Sequence, residues 1–513
     1  MIRVPPSASE SAASLSPRAR LLALLTVAIA FVMDLVDGTI LNIAIPTIQR
    51  DLGASDTEVQ WMVSGYMTAF AILLVTGGRL GDILGYRTTF LAGIATFTVT
   101  SFLCGVSTSP ELLVLSRILQ GGAAAIMLPQ VMALVQVMYA PHERVGVLAV
   151  FGVIGGLSAV LGPILGGILI SADLFGLQWR PIFLINLPIG IIALIVGGKI
   201  LPGGKSHHKI SLDWAGTFIV GFALLLVLFP LVEGRSFGWP LWMLAMLGAS
   251  PLLGAFAWHH FLSRSKRGLS PLVEPTLFSD RSFSLGVLLI IIFQVAMGGF
   301  FLTLTLMLQY GLQMSPLEAA LMHVPFAIGA TVSIGIVTRK VLPKIGPTLV
   351  LVGAILFAVG LIFSVLSINA MDGIPRLVCL EASLLCAGLG MGLITGPATP
   401  IALSEVDTGH AGAASGVVKS TQQVGGAFGA SLIGSVFFGL MVRVDPPTAL
   451  TAFSVSAIVM LICLAAVAIV SFFIPRNLRV FGGPQPDLSA GGPFREGVVA
   501  QGRASDTRTQ KET

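Results

Sequence analysis

Fourteen apolar stretches, each long enough to cross a bilayer, constrain this chain more than any other feature. A hydrocarbon core of about 30 Å needs roughly 20 mostly apolar residues per helix. The chain is 55% apolar and 10% charged, with a mean hydropathy of +0.93, a balance that suits lipid rather than water. The sequence therefore predicts an all-α polytopic membrane protein. The predicted spans are 21–45, 58–78, 89–107, 110–138, 145–171, 181–201, 212–233, 241–262, 283–309, 316–338, 347–367, 376–404, 412–441 and 449–474.

Two long polar breaks, at 201–209 and 263–281, divide the spans into six, two and six. We expect a cytoplasmic tail at 1–20, a six-helix bundle at 21–201 and a linker with two extra helices at 202–282. A second six-helix bundle is expected at 283–475. After Pro475 the chain becomes polar and rich in Gly, Ser and Pro, which predicts a disordered cytoplasmic tail at 476–513.

The basic residues predict the orientation. Loops on the same side of the membrane as the N-terminus contain more Lys and Arg than loops on the other side, as expected for the cytoplasmic side. An even number of spans then places both termini in the cytoplasm, with the chain in the inner membrane. The N-terminal-side residues are Arg79, Arg87, Arg144, Lys205, Lys209, Arg264, Lys266, Arg267, Arg281, Arg339, Lys340 and Lys344, against Arg50, Arg180, Arg235, Arg376 and Arg443 opposite.

A glycine-rich basic loop follows the second span. Its glycines permit a tight turn, and Asp82 is expected to cap the next helix and pair with a base such as Arg87. The pattern resembles the signature loop of the major facilitator superfamily in both spacing and location. The residues that match are Gly78, Gly81, Asp82, Gly85 and Arg87. A second copy is expected after the tenth span, but residues 339–346 lack the Asp.

Other spans extend the resemblance to the 14-helix drug:proton antiporter family, of the EmrB/QacA type. The run from Asp37 to Pro46 is similar to its opening motif, and Trp179 to Gly190 is similar to its sixth span. Leu113, Arg117, Gln120 and Gly121 resemble the proton-coupling motif of the superfamily. The fifth span resembles the antiporter motif, through Gly155, Gly156, Gly162, Pro163, Gly166 and Gly167. The resemblance implies two six-helix bundles plus two linking helices, with a substrate cavity between the bundles and alternating access.

Three ionisable residues in the membrane are candidates for proton coupling. Asp34 and Asp37 share one face of the first span, and Arg117 lies at a depth from which it can reach Asp37. Desolvation disfavours a charged carboxyl and a nearby guanidinium favours it, so movement of Arg117 would switch proton affinity. Asp34 or Asp37 is the hypothetical proton carrier; a static ion pair that fixes helix register is the alternative.

Further polar groups are candidates for the substrate cavity, each with a plainer alternative. Glu381 either faces the cavity or reaches the membrane interface. His323 either titrates or makes a helix contact. The amides either bind substrate or join helices, and Lys419 adds a cation. The candidates are Glu381, Gln294, Gln422, Gln423 and His323.

These patterns and the family resemblance predict a secondary exporter of lipophilic small molecules, with cations among the candidates, functional as a monomer in the lipid bilayer. No nucleotide-binding loop is present, so an ion gradient is the expected energy source. No catalytic, metal, cofactor or nucleic-acid site is expected. Export of a self-made metabolite, lipid or siderophore remains the main alternative, and a membrane enzyme or channel a distant one.

Overall fold

The computed structural model describes residues 16–204, 211–406, 411–441, 443 and 445–475, and within these ranges it contains no strand. The predicted tails at 1–20 and 476–513 therefore lie largely or wholly outside the described residues. Fourteen long helices, α1 to α14, correspond one to one to the predicted spans. They are Pro17–Leu52, Asp56–Leu84, Tyr86–Gly105, Pro110–Met138, Pro141–Ala172, Pro181–Ile200, Trp214–Phe237, Leu241–Lys266, Arg281–Gly311, Pro316–Ile336, Thr348–Ala370, Gly373–Leu403, Ala411–Leu440 and Pro446–Phe473.

Thirteen of the described helices are long and apolar enough to cross a membrane. In α5 the described apolar stretch is Leu161–Ala172. Large apolar side chains such as Phe218, Ile462 and Ile469 are exposed on the outside of the structure, as lipid contact requires. The fold is therefore the predicted polytopic helical membrane protein.

Capping boxes begin α2 and α10. The Ser55 N–H donates to the Glu58 carboxylate at 2.7 Å, and the Ser315 N–H donates to that of Glu318 at 2.8 Å. Each glutamate therefore stabilises the first turn of its helix.

The helices pack in two similar sets. In the first set α1 packs against α5 and α6, α2 against α4, and α3 against α4 and α6. In the second, α9 packs against α13 and α14, and α12 against α10 and α11. The sets meet where α2 packs on α13 and α5 on α10, and α7 packs on both α2 and α13. The exact domain boundaries drawn from the sequence stay predictions.

We call the membrane side where α1 begins and α14 ends the terminal face, and the opposite side the far face. Near the far face the two sets are joined by hydrogen bonds. The Gln309 side chain donates to the Ile43 carbonyl at 2.9 Å, and the Tyr310 hydroxyl donates to Gln49 Oε1 at 2.8 Å. Ser435 of α13 also donates to Gln60 Oε1 of α2, at 3.1 Å. This conformation is closed at the far face.

Candidate transport site

A buried ion pair joins α1 to α4. Arg117 Nη1 donates to Asp37 Oδ2 at 2.5 Å, and the two side chains are 2% and 0% exposed. Arg117 also donates through Nε to the Met62 carbonyl at 3.3 Å, and its guanidinium lies 4.3 Å from the centre of the Tyr66 ring. The structure contains the acid–guanidinium pair that the sequence predicts, while its role in proton coupling stays a hypothesis.

Asp37 has two more donors, both from the first helix set. Gln120 Nε2 donates to Asp37 Oδ1 at 2.9 Å, and Asn186 Nδ2 donates to the same oxygen at 3.3 Å. Gln120 Oε1 in turn accepts from Arg117 Nη1 at 2.7 Å, and Asn186 also donates to Ser101 Oγ at 3.0 Å. Such a network offsets the cost of burying the carboxyl group.

Asp34 has a different environment one helical turn away. Its described hydrogen-bond partner is Tyr66, whose hydroxyl donates to Asp34 Oδ1 at 2.8 Å. Asp34 is 6% exposed and its charge interacts with those of Asp37 and of Lys419 on α13. Asp34 thus has fewer described donors than Asp37 and slightly more contact with solvent.

An open groove runs along one face of α13 near the terminal face. One stripe of α13 contains Lys419 and Gln423 in its terminal half and Gly426, Ala430 and Phe437 in its far half. Lys419 is exposed and Gln423 half-buried, whereas Gly426, Ala430 and Phe437 are buried. The same helix face is thus open near the terminal face and sealed toward the far face.

Three amides border this groove. Gln422 and Gln423 on α13 are half-buried, as is Gln294 on α9. A Cβ atom added at Gly425 would lie 2.7 Å from Cβ of Gln294, so the two helices touch there. Among the described contacts, these three side chains make no hydrogen bond to protein, which leaves their amides available to a ligand.

Two predicted cavity residues lie elsewhere. His323 is 3% exposed, with Nδ1 2.8 Å from the Ala319 carbonyl and Nε2 3.3 Å from Thr305 Oγ1, so it makes the helix contact that was its alternative. Glu381 is exposed on a face of α12 that it shares with the exposed Val378 and Leu385. That apolar face is typical of lipid contact, which favours the alternative in which Glu381 reaches the membrane interface.

The signature residues are helical rather than a loop. α2 continues through Gly78, Gly81 and Asp82 to Leu84, and the turn into α3 is Gly85 alone, with a φ of 100° that favours glycine. A Cβ atom at Gly81 would collide with Gln130 Oε1 of α4. These glycines allow α2 and α4 to approach closely.

The expected contacts of Asp82 are also wrong. Asp82 neither caps α3 nor pairs with Arg87; its carboxylate accepts from the Tyr86 hydroxyl at 2.9 Å. Arg87 instead donates to the Gly198 carbonyl of α6. Because the helix runs on to Leu84, Asp82 and Tyr86 are a turn apart and meet directly.

The antiporter-motif glycines pack α5 against two helices. A Cβ atom at Gly162 would collide with Thr39 Oγ1 of α1, and one at Gly166 would lie 2.9 Å from the Ile40 side chain. One at Gly167 would lie 2.8 Å from Cβ of Ala320 in α10, across the junction of the two sets. Gly155 has space around it, buried Pro163 lies within the helix, and the surroundings of Gly156 lie outside the described residues.

The sequence profile of the Major Facilitator Superfamily matches residues 27–430. The chain belongs to the Major Facilitator Superfamily. This family consists of membrane transporters, so the chain is a transporter of small molecules and not an enzyme.

Curated relatives agree with this assignment. The chain is 41% identical over 440 residues to the probable actinorhodin transporter of Streptomyces coelicolor, covering 85% of this chain and 76% of that protein. It is 35% identical over 420 residues to the tetracenomycin C resistance and export protein of Streptomyces glaucescens, covering 80% and 74%. It is 29% identical over 415 residues to the multidrug transporter protein MdtP of Bacillus subtilis, covering 80% and 73%.

Solved superfamily structures share the fold. A peptide transporter POT bound to sulfate matches with a TM-score of 0.65 and 13% identity, covering 92% of this chain and 99% of that chain. A bacterial homolog of the human lysosomal transporter Spinster, inward-facing and occupied, matches with a TM-score of 0.62 and 15% identity, covering 92% and 100%.

Sequence reasoning missed Tyr66 as the partner of Asp34. Gln120 and Asn186 lie within the superfamily-like motifs, but the sequence did not predict that they contact Asp37. A signal was present, because each is a polar residue inside a long apolar span, where polar side chains need partners. The partner itself depends on how α2, α4 and α6 are rotated, which the sequence of one helix does not specify.

Proposed function

We propose that this superfamily member is a proton-coupled exporter of drug-like small molecules that works by alternating access. The tetracenomycin C relative is named a resistance and export protein, which supports export as the direction. The other two relatives are named as transporters, one of actinorhodin and one of multiple drugs. Two helix sets that meet at α2–α13 and α5–α10 provide the surfaces across which such a transporter rocks.

The proposal of proton coupling rests on Asp34 and Asp37, two neighbouring acids whose surroundings differ. Asp37 is fully buried under three donors and is the fixed partner of Arg117. Asp34 has the Tyr66 hydroxyl, slight exposure and the groove beside it. We therefore assign the transported proton to Asp34, with Arg117 and Asp37 as groups that position it and set its proton affinity.

The terminal face is cytoplasmic in this proposal, because the loops expected on that side carry more Lys and Arg. Both termini then lie in the cytoplasm of a bacterial cell, with the chain in its inner membrane and active as a monomer. The groove in this conformation opens to the cytoplasm, where an exporter collects its substrate.

The glycines of α5 fit the movement that export requires. Gly167 allows α5 to lie directly on the start of α10 when the far face is closed. Gly162 and Pro163 lie about one turn before Gly167 in the same helix, farther from the far face. Proline removes a backbone hydrogen bond, so a helix can bend there. We infer that α5 flexes at Gly162 and Pro163 as its contact with α10 separates.

Accumulation of rhodamine 123 in cells tests this function. Cells that produce the protein should hold less dye than cells with an empty vector, and a protonophore should abolish the difference. The Asp34→Asn variant at equal membrane abundance should behave like the empty vector. Export that persists in the presence of the protonophore would contradict proton coupling.

Export of one self-made compound is the second candidate. The most identical of the relatives described above, at 41%, is named for a single compound. A panel of antibiotics and dyes separates the two: protection against several unrelated compounds indicates a multidrug exporter, and protection against one chemical class indicates a dedicated exporter.

A further inference from the structure

We propose that the preferred substrates are amphoteric molecules, with an acidic group that binds Lys419 of α13 and a basic or hydrogen-bond-donating group that binds Asp34 of α1. This inference rests on the proposed function and names the substrate class of its groove.

Lys419 lies at the junction of α13 and α2. A Cβ atom at Gly416 would lie 3.6 Å from the Val75 side chain, and one at Gly426 would lie 3.0 Å from Sδ of Met67. Lys419 is between these contacts, about 10 Å along the helix axis from Gly426. It is exposed inside a membrane-spanning helix, which is the behaviour of a charge that borders an aqueous groove.

Asp34 is linked to this junction through α2. Its partner Tyr66 lies next to Met67, the residue of α2 that meets Gly426 of α13. The charges of Asp34 and Lys419 interact, yet within the described ranges neither belongs to an ion pair. The groove therefore has an acid on one wall and a base on the other, separated by a gap.

This arrangement favours a ligand that carries both kinds of group. A simple cation bound to Asp34 is repelled by Lys419, and a simple anion bound to Lys419 is repelled by Asp34. A molecule with both groups can bind Asp34 and Lys419 at the same time. Gln294, Gln422 and Gln423 can supply further hydrogen bonds at the border of the groove.

The same geometry explains how proton and substrate compete. A proton on Asp34 removes the acceptor for the basic group of the substrate, so the two do not bind together at full strength. Exchange of one for the other is what an antiporter requires. An anion held by Lys419 alone would lack this competition, because protonation of Asp34 would strengthen its binding.

Two dyes on one ring system test the proposal. Rhodamine 110 carries a free carboxylate and a cationic ring, whereas rhodamine 123 is its methyl ester and only a cation. Titration of the purified full-length protein, followed by dye fluorescence anisotropy, should show about tenfold tighter binding of rhodamine 110, as expected for one charge-assisted contact.

Variants of Lys419 separate its charge from its bulk. Lys419→Gln should bind the two dyes equally, Lys419→Arg should keep the preference, and Lys266→Gln, which alters an exposed lysine at the end of α8, should match the wild type. A preference that survives in Lys419→Gln would overturn the assignment. So would a wild-type protein that binds rhodamine 110 no more tightly than rhodamine 123, including one that binds neither.

Failure of this inference is distinguishable from failure of the proposed function. Proton-driven export of rhodamine 123 that is lost in Asp34→Asn supports the function whatever the dye preference. Equal binding of both dyes by such a protein would contradict the preference for amphoteric substrates, but it would not contradict proton-driven export.

Discussion

Arg117 and Asp37 form an ion pair with an N–O distance of 2.5 Å and almost no exposure to solvent. Each side chain depends on the other, because an unpaired charge at this depth has no water to solvate it. The pair also fixes α1 against α4, and with Asn186 it ties α6 to both. The proposed proton site is therefore built on a rigid part of the first helix set.

Removing one member of this pair should destabilise the protein more than removing both charges. Arg117→Ala leaves a buried carboxylate unpaired, at a cost of roughly 3–5 kcal/mol, whereas Asp37→Asn with Arg117→Gln leaves two neutral polar groups. Thermal unfolding in detergent should show a large loss for the single variant and a partial recovery for the double. Equal losses for single and double variants would show that the charges do not stabilise each other.

Gly167 should control closure of the far face. Gly167→Ala places a Cβ atom 2.8 Å from Ala320 and 3.0 Å from the Pro316 carbonyl, so α5 and α10 must separate. Spin labels at Ser171 and Ile374, both exposed near the far face, should report a longer average distance in this variant.

Gly155→Ala is the matched control for that distance, because the nearest neighbour of its Cβ atom is the Leu35 side chain at 4.0 Å. The control should give the wild-type distance distribution. If both alanine variants give the same distribution, the contact between Gly167 and α10 does not hold the far face closed.

Asp213 should anchor the two linking helices. Its buried carboxylate accepts from the backbone N–H groups of Gly216 and Leu272, each at 2.9 Å, and lies 2.9 Å from His260 Nε2. Burial raises the pKa of this carboxyl, but the hydrogen bonds from His260, Gly216 and Leu272 and the charge of Arg264 outweigh it, so the net pKa is lowered. A lowered pKa means that its stabilisation is present at neutral pH and is lost as acid protonates the folded carboxylate.

Asp213→Ala should therefore loosen the segment from Ser263 to Arg281 at neutral pH, with a cost of about 1–3 kcal/mol for the unsatisfied donors. Limited proteolysis in this segment should accelerate, and acidification should shrink the difference from the wild type. Asp372→Ala, at a highly exposed position, is the control. Cleavage of the Asp213→Ala segment at the wild-type rate would exclude the anchoring role.

Glu381 should be dispensable for transport. It shares an exposed face of α12 with Val378 and Leu385, away from the groove that contains Lys419. Glu381→Gln should export rhodamine 123 at the wild-type rate in cells, with equal protein in the membrane. A loss of export comparable to that of Asp34→Asn would place Glu381 in the substrate path after all.

The sequence predicts the helices well because membrane spans depend on a local property, the length of an apolar run. The ion pair was also predictable, since Asp37 and Arg117 occupy compatible depths on two long helices. The position at which α2 ends could not be predicted from the sequence. Gly78 and Gly81 favour a turn locally, yet packing on α4 keeps them helical.

Side-chain orientation around a helix was the harder part. Depth alone could not show that Glu381 faces outward, that His323 bonds within its own helix, or that Tyr66 rather than Arg117 contacts Asp34. Those outcomes depend on the rotation of each helix against its neighbours, which tertiary packing decides.

Proton flux in proteoliposomes tests the central claim most directly. With purified protein and an imposed pH gradient, the wild type should move rhodamine 123 against its concentration gradient, and dye addition should trigger measurable proton movement in the opposite direction. Asp34→Asn should lose both while still exchanging labelled for unlabelled dye without a gradient. Gradient-driven transport with undiminished proton movement in Asp34→Asn would contradict the account.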